Sequence, residues 1–210
     1  MKTPLHRLFL SCGLLLATVC LPARTNSVDN LKAATADIPV EKDRLAVQSA
    51  LLAFADSKKV DHFFAKSYGV VIFPTIGKGG LGIGGAHGSG WGFRAGKFDG
   101  TSKMTQVTIG FQAGGQAFSQ IIFFETEVDF NRFTSGNFEL GAQASAVALT
   151  AGANAQASTA GGANAGANAS QAKSTYSDGM AIFTMAKGGL MYEASVGGQK
   201  FSYRPNPKQD

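Results

Sequence analysis

YGVVIFPTIGKGGLGIGGAHGSGWGFRAGKF, residues 68–98, changes character twice and decides the fold. Gly69 to Phe73 is an unbroken β-branched and aromatic run typical of a buried strand, and we expect Pro74 to end it because proline cannot donate to a sheet. From Gly79 onward glycine alternates with large apolar residues, which are Leu81, Ile83, Trp91 and Phe93. A period of two places large side chains on one sheet face and leaves the other face nearly bare. So many glycines indicate tight curvature, bulges or a second surface close to the backbone.

Gly77, Gly79 and Gly82 spell GxGxxG just after the predicted strand, as in a dinucleotide-binding loop. That loop requires a helix to begin at its last glycine, so that the helix amides face the pyrophosphate. The chain continues instead as Leu-Gly-Ile-Gly-Gly, which predicts no helix. We therefore expect a glycine-rich β-hairpin or bulge here and not a nucleotide site.

Residues 1–23 have the composition of a secretory signal peptide. Lys2 and Arg7 precede an apolar run over residues 8–21, which is too short for a comfortable membrane span. Two kinds of processing stay open, cleavage after Ala23 or lipid modification of Cys20 in a lipobox-like sequence with an unfavourable Val19. The leader predicts an exported protein of the periplasm or cell envelope. Lipid modification of Cys20 would in addition anchor this protein to a membrane.

Both cysteines, Cys12 and Cys20, lie in this leader. Cleavage after Ala23 would leave no thiol, which excludes disulfides, thiolate metal sites and cysteine nucleophiles together. Losing Lys2 and Arg7 lowers the formal net charge from +5 to +3. Such a mildly basic chain favours anionic surfaces, but it does not have the composition of a nucleic-acid-binding protein.

The rest of the chain is predicted to form one domain over residues 40–204. A flexible tether over residues 24–39 precedes it, and a tail over residues 205–210 follows. Residues 151–172 are almost entirely Gly, Ala, Asn, Ser and Thr, so nothing in them offsets the entropy of ordering. We interpret them as a flexible loop inside the domain, because strand-like patterns resume beyond them.

Two helices are predicted before the glycine-rich stretch. Residues 40–55 have a moderately amphipathic pattern. A second, shorter helix after Asp56 or Ser57 would carry Val60, Phe63 and Phe64 on one side, next to Lys58 and Lys59. Two interpretations stay open for it, an aromatic side packed on the sheet or a basic amphipathic helix at a membrane surface.

Glycine-containing pairs beyond the glycine-rich stretch predict turns between strands. They lie at Asp99-Gly100, at Gly114-Gly115 and at residues 187–189, and a short helix from Thr126 to Thr134 follows an apolar strand over residues 117–124. These patterns predict seven or eight strands and two or three helices. The expected fold class is α+β, with a curved or barrel-like, mostly antiparallel β-sheet and the helices packed on it.

The order of these segments resembles the SYLF domain, which lipid-binding bacterial proteins share with fungal and animal endocytic proteins. The matching segments are AKSYGVVIFP (65–74), KGGLGIGGAHGSG (78–90), IGFQAGGQAFSQIIFF (109–124), FTSGNFELGAQASAVA (133–148) and KSTYSDGMAIFTMAKGGLMYEASVGG (173–198). Many relatives carry a shorter link with proline and arginine where this chain has residues 151–172. The resemblance implies binding of acidic phospholipids, chiefly phosphoinositides, and of actin filaments in some eukaryotic members. For an exported protein, what transfers is association with an anionic lipid or membrane surface.

Residues typical of catalysis or metal binding are sparse. His62 and His87 are isolated from any carboxylate at a ligand spacing, so we expect no metal site and no cofactor. GxSxG fails at Ser89 because His87 stands where glycine is required. Glu125, Glu127 and Asp129 span a strand end and a helix start, as in a solvated cap. The sequence therefore predicts a protein that is not an enzyme.

Basic residues recur beside glycine or aromatic residues; they are Lys78, Arg94, Lys97, Lys103, Lys187, Lys200 and Arg204. The predicted lipid-binding residues are Lys78 and Lys187 in glycine turns, where backbone amides help to hold an anion, with Arg94, Lys97, Lys58 and Lys59. A lysine in a turn is more often simply solvated, so that explanation stays open. The alternative function is a structural or interaction protein of the envelope that binds a protein partner through a sheet edge or the low-complexity loop.

Overall fold

The computed structural model describes residues 26–141, 147–149 and 175–207. The predicted signal peptide, Cys20 and the loop over residues 151–172 therefore lie outside the described residues, as does the end of the tail. One 3₁₀-helix, Thr35–Asp37, accompanies the longer elements. These elements are α1 (Val28–Ala34), α2 (Glu41–Ala55), α3 (Asp61–Lys66), β1 (Gly69–Arg94), β2 (Lys97–Phe124), α4 (Glu127–Thr134), β3 (Asn137–Leu140), β4 (Val147–Leu149) and β5 (Met180–Pro205). The predicted α+β class is confirmed.

The sheet is built from three unusually long antiparallel strands. Its order is β1-β2-β5-β3, and β4 pairs with β5 in the parallel direction. Every other pairing among the described strands is antiparallel, as predicted. The sheet is curved but does not close on itself.

Each long strand bends so sharply that the sheet has two halves lying face to face. A straight strand of 26 residues would span about 85 Å, roughly twice the diameter of a domain of this size. In β1, a Cβ on Gly88 would lie 2.7 Å from Cγ1 of Ile76, and one on Gly90 would lie 2.6 Å from the ring of Phe73. We call residues 69–79, 115–124 and 180–189 the first half, and residues 84–94, 97–109 and 197–205 the second half.

The bend between the halves is made of glycine and one buried amide. Three residues of β2, 110–112, stand opposite the single Gly82 of β1, whose φ is +72°. Gln112 is 3% exposed and donates from Nε2 to the carbonyl oxygens of Gly82 (3.1 Å) and Thr108 (3.0 Å). The glycines therefore serve curvature, bulging and close approach of two backbones, the three reasons predicted from the sequence.

The predicted turns are wrong in position. The chain reverses at Ala95-Gly96, where both φ angles are positive (47° and 75°) and Arg94 pairs with Lys97. Gly100, Gly115 and Gly189 lie inside strands with partners on the neighbouring strand. Gly100 and Gly189 allow close backbone contacts with the neighbouring strand, and none of the three reverses the chain, so the strands are fewer and longer than predicted.

Pro74 also does not end its strand. Pro74 and Thr75 stand opposite the single residue Ser119, which makes a bulge through which β1 continues. The bulge accommodates the missing N–H of proline. Ser119 Oγ donates to the Pro74 carbonyl oxygen at 2.8 Å and is buried with it.

Two apolar cores lie on opposite faces of the first half. Val70, Ile72 and Phe123 face α1 to α3, whereas the alternate residues Val71 and Phe73 face the second half and α4. Consecutive residues of these strands are therefore all buried, as the unbroken apolar runs predicted. Trp91 and Phe93 are also buried, at 8% and 0% exposure.

The predicted tether over residues 24–39 is instead structured from Asn26 onward. Ser27 caps α1, and Leu31 and Ile38 are fully buried at 0% and 1% exposure. Asn26 Nδ2 donates to the Ser67 carbonyl oxygen, and its Oδ1 accepts from the Gly96 amide, each at 2.6 Å. Two large apolar residues seven positions apart were too weak a pattern to reveal a helix of two turns.

The packing interpretation of α3 is confirmed. Val60, Phe63 and Phe64 lie at 0%, 0% and 3% exposure against the first half of the sheet. The apolar side of this helix is therefore in the core and not at a surface. Lys58 and Lys59 are exposed in the turn between α2 and α3.

Candidate binding surface

The outward face of the second half is exposed along β2 and β5 and at alternate residues over 85–89 of β1, whereas Trp91, in the row of Thr101 and Arg204, is buried at 8% exposure. Alternate residues of β2 point outward along it, whereas Ser102, Met104 and Thr108 between them are buried. The exposed ones are Thr101, Lys103, Thr105, Val107 and Ile109. Because β1 and β5 pair with β2 without a register shift from Gly84 to Gly92 and from Gly197 to Pro205, their alternate residues continue the same rows.

Basic side chains gather at the outer end of this face. Thr101 pairs with Arg204, and Thr105 pairs with Lys200 on one side and His87 on the other. Lys103 lies between these rows, about 7 to 8 Å in Cα distance from Arg204 and from Lys200 as their diagonal neighbour. We call Lys103, Lys200 and Arg204 the basic band.

Two of these cations have no acidic partner within the described part of the chain. Lys200 Nζ lies 3.1 Å from Oε1 of Glu139 on β3, but both side chains are more than half exposed (60% and 70%), so the pair is weak. Among the residues that the structure describes, Lys103 and Arg204 make no ion pair. An open depression of about 210 Å³ lies between them and is lined by Thr101, Lys103, Ser202, Tyr203 and Arg204. Two cations and two hydroxyl groups around one depression suit a phosphate group.

The end of the same face near the bend is apolar. Ile83 pairs directly with Ile109, and Val107 is two residues from Ile109. Their exposed fractions are 68%, 66% and 59%, and Leu81 at the bend is 83% exposed. We call these four residues the bend patch.

The positive charge of the domain is concentrated on the sheet. The three long strands contain only two acidic residues, Asp99 and Glu193, against seven basic ones, which are Lys78, Arg94, Lys97, Lys103, Lys187, Lys200 and Arg204. Residues 28–66, which include α1 to α3, contain six acidic and six basic residues and are neutral. An anionic surface is therefore attracted to the sheet and not to these helices.

Lys187 lies within β5 and not in a glycine turn. It is the extra residue of a bulge, because Ala186 pairs with Phe118 and Gly188 pairs with Ala117, the residue before Phe118 in β2. Its Nζ reaches across β2 and donates to the Pro74 carbonyl oxygen (3.1 Å) and to Thr75 Oγ1 (3.0 Å). The side chain therefore joins two neighbouring bulges, a stabilising role that the sequence did not indicate.

Arg94 belongs to a polar network at the hairpin end of the sheet. Its Nε donates to Asp99 Oδ1 at 2.7 Å, one of its terminal nitrogens donates to Asn131 Oδ1 at 2.8 Å, and its guanidinium lies over the ring of Phe130 at 4.8 Å. Burial lowers the pKa of Arg94, but hydrogen bonds to Asp99 and Tyr68 and the charge of Asp99 raise it overall. Arg94 therefore fixes the hairpin to α4.

The other predicted lysines lie apart from one another. Lys78 is half-buried in β1, where it pairs with Gln116, and is engaged in an interaction there. Lys97 is exposed as the first residue of β2, beyond the basic band. Gln116 also pairs with Gly189, so Lys78 and Lys187 lie on strands either side of β2 near the bend. The structure thus brings these two close together, but in strands and not in a rim of turns.

Comparison with known proteins matches the chain to a protein family. The family model Ysc84, described as "Las17-binding protein actin regulator", matches residues 105–209. The chain belongs to the Ysc84 family. This is the SYLF-domain family that the sequence resembles. No curated protein and no solved structure matches the chain.

Ysc84 is a family of binding domains, associated with lipids and with actin regulators. The region matched to the Ysc84 model begins in the middle of β2 and includes β5, so it contains Lys200 and Arg204. Of the residues described, no helix is long and apolar enough to cross a membrane, and no three potential metal-ligating side chains cluster.

The basic band was present in the sequence but was not selected as a site. The sequence places aromatic residues beside Lys200 and Arg204. Lys103 stands in an alternating run of β2 in which every second residue is exposed. That spacing was an available signal for one strand. Its continuation onto β5 depends on the register of two strands almost a hundred residues apart.

Because of Tyr203, the stability of this Ysc84 domain depends on pH in the alkaline range. Burial raises the pKa of Tyr203, and the charge of Asp99, whose Oδ2 accepts its hydroxyl at 2.8 Å, raises it further. In the unfolded chain a tyrosine ionises near its ordinary pKa of about 10. Ionisation above that pH therefore favours the unfolded chain, so this stabilising contribution is present below about pH 10 and declines above it.

We expect the free energy of unfolding to fall less steeply above about pH 10 in Tyr203→Phe than in wild type, by up to about 1.4 kcal/mol per pH unit. Below that pH the variant should be less stable by about 1 kcal/mol, because one buried hydrogen bond is lost. Urea denaturation across the alkaline range checks both. Parallel profiles for the two proteins would show that Tyr203 does not stay protonated in the fold.

Proposed function

We propose that the protein is a non-enzymatic module that binds anionic phospholipid membrane surfaces through the basic band. The observation that carries this proposal is the exposed sheet face on which Lys103 and Arg204 border one depression and have no acidic partner among the described residues. Membership of a binding-domain family associated with lipids supports it. The basic band differs from the lipid-binding residues predicted from the sequence, because two of those residues, Arg94 and Lys187, make hydrogen bonds inside the fold.

The chemistry of the band suits a lipid phosphate. Lys103 and Arg204 supply the charge, and the hydroxyl groups of Thr101 and Ser202 line the same depression and offer hydrogen bonds. Near an anionic bilayer each basic side chain contributes about 1 kcal/mol of binding free energy. Such an open surface binds headgroups by electrostatic attraction to its long basic side chains and does not enclose them.

The remaining predicted lysines stay in the proposal as contributors of long-range attraction. Lys97, Lys58 and Lys59 are exposed and free to act at a distance of about one Debye length, 8 Å at physiological salt. Lys78, which lies near the bend, stays a predicted lipid-binding residue. Arg94 and Lys187 are better explained by the hydrogen bonds they make inside the fold.

We further propose that the protein is exported and works at the cell envelope. The support is the sequence of residues 1–23, with a basic start and an apolar run of signal-peptide length. Cys20 is the residue on which a lipid anchor would be placed. An anchored domain would meet a bilayer at high local concentration, which suits an electrostatic surface of modest affinity.

The test is vesicle co-sedimentation of Lys103→Gln with Arg204→Gln. Vesicles of equal parts phosphatidylglycerol and phosphatidylcholine are compared with vesicles of phosphatidylcholine alone, at low and physiological salt. Wild type should bind only the anionic vesicles and lose affinity as salt rises. The double variant should bind them about tenfold to thirtyfold more weakly, with unchanged stability because both side chains are exposed.

Lys58→Gln with Lys59→Gln is the matched control, because it removes the same charge from the α2–α3 turn. A smaller loss in this control supports the assignment to the sheet face. Equal losses in the two double variants would mean that net charge and not the basic band governs binding. If wild type ignored anionic vesicles altogether, the alternative of an envelope interaction protein with a protein partner would replace this proposal.

A further inference from the structure

We infer that the bend patch inserts into the acyl region of the bilayer, so that the protein binds with the bend of its sheet pointing into the membrane. This inference rests on the proposed function, and it adds a hydrophobic contact and an orientation to it. The bend patch consists of Leu81, Ile83, Val107 and Ile109, and each of these side chains is more than half exposed. None belongs to either apolar core.

The exposure is unusual for the kind of position these residues occupy. Ile83 and Ile109 pair across neighbouring strands, and Val107 follows on the same face, so they form one contiguous surface and not scattered apolar residues. Glycines flank it: Gly85 pairs with Val107, and Gly198 pairs with Val107 from the other side. Without neighbouring side chains to shield it, Val107 protrudes from the sheet.

The spacing along the strands matches the depth of a membrane interface. Lys200 lies in the row next to Val107, about 7 Å away, and Lys103 lies four residues from Val107, about 13 Å away. An amphipathic surface segment buries its apolar side about 5 to 10 Å into the boundary of headgroups and acyl chains. With the bend patch at that depth, the ammonium groups of Lys200 and Lys103 reach the phosphate level along their flexible stems.

Charge complementarity selects a bilayer over a second copy of this chain as the occupant. The three long strands carry two acidic residues: Asp99, which is hydrogen-bonded to Arg94 and Tyr203 at the far end of the sheet, and Glu193, which pairs with Gln112 at the bend. A second copy docked face to face would oppose one basic band to another. An anionic bilayer offers acyl chains and negative phosphates at the two levels that this face requires.

The depth of insertion is tested with a tryptophan reporter. Ile83→Trp is mixed with vesicles of phosphatidylglycerol and acyl-brominated phosphatidylcholine, and the quenching of wild-type Trp91 is subtracted. Val128→Trp is the matched control, because Val128 is a β-branched apolar residue that is 75% exposed on α4. We expect strong quenching and a blue shift for Ile83→Trp, and neither for Val128→Trp.

The contribution to affinity is tested with Ile83→Ser combined with Ile109→Ser. This variant should bind anionic vesicles about thirtyfold more weakly and lose the fraction of binding that resists salt, because two partly buried isoleucine side chains are removed from the lipid contact. Val128→Ser should bind as wild type does. Circular dichroism and urea denaturation should show unchanged folding in both variants, because all three side chains are exposed.

The possible outcomes separate this inference from the proposed function. Salt-sensitive vesicle binding without quenching of Ile83→Trp would overturn insertion and leave the electrostatic proposal standing. Absence of any vesicle binding would overturn both. Concentration-dependent dimerisation in the absence of lipid, abolished by the double serine variant, would overturn insertion in favour of a contact between two copies.

Discussion

Gly90→Val is expected to destabilise the fold by about 3 kcal/mol or more, because it forces apart the two halves of the bent sheet. A Cβ at position 90 would lie 2.6 Å from two ring carbons of Phe73, which is fully buried at 0% exposure. Real Cβ atoms do not approach this closely, and a fully packed ring has no free rotamer to adopt. Urea denaturation followed by circular dichroism measures the loss.

Gly77→Val is the control for this prediction, because it is the same substitution in the same strand. Gly77 is exposed, and a Cβ there would meet nothing within 4 Å. We expect a change within about 0.5 kcal/mol. Similar midpoints for the two variants would show that the halves do not pack face to face, and the rows of the exposed face would then have to be reassigned.

Phe63→Ala should cost about 3 to 5 kcal/mol, the range for truncating a large buried aromatic residue. Phe63 is fully buried, and its ring lies 5.5 Å from that of Phe123, 5.1 Å from that of Tyr176 and 5.0 Å from that of Phe183, measured between centroids. The pairs with Tyr176 and Phe183 are edge-to-face and the pair with Phe123 is stacked, and aromatic pairs of both kinds add to the free energy of burial. The measurement is again the midpoint of urea denaturation.

Leu52→Ala is the matched control, because Leu52 is a large apolar residue of the neighbouring helix α2 that is 49% exposed. Its truncation should cost about 1 kcal/mol or less. The pair of variants also decides the role of α3. Unchanged stability together with lost vesicle binding in Phe63→Ala would revive the interpretation of α3 as a membrane-surface helix.

Local patterns were sufficient where neighbouring residues carry the whole signal. The apolar run from Gly69 to Phe73 predicted a strand buried on both faces, and Val60, Phe63 and Phe64 predicted the buried side of α3. The helix at Thr126 was predicted from its cap, and Thr126 and Asp129 form a capping box there. Each of these features depends on residues that are close together in the sequence.

The candidate surface was predictable only in part. The sequence indicated lysines beside glycines and an anionic partner, but it selected Lys187, whose ammonium group bonds to Pro74 and Thr75 across two strands. The sequence did not indicate Arg204 as a binding residue, because the pairing of Arg204 with Thr101 joins residues far apart in the chain. Whether a lysine is free or engaged depends on atoms that sequence spacing does not contain.

The sequence by itself determined the types of local structure and their chemistry, but not their bounds: alternating strands, amphipathic helices, a mildly basic chain, and glycines that require close approach or bending. Only the tertiary structure decided that Gly88 and Gly90 lie against Ile76 and Phe73 of the same strand. Strand period and side-chain type are set by local backbone geometry, which the sequence encodes directly. The direction of a bend, the register of distant strands and the face left exposed depend on packing between residues remote in the chain. For this reason the glycine pattern predicted that the sheet bends, and the folded chain alone showed which cations and which apolar residues share its outer face.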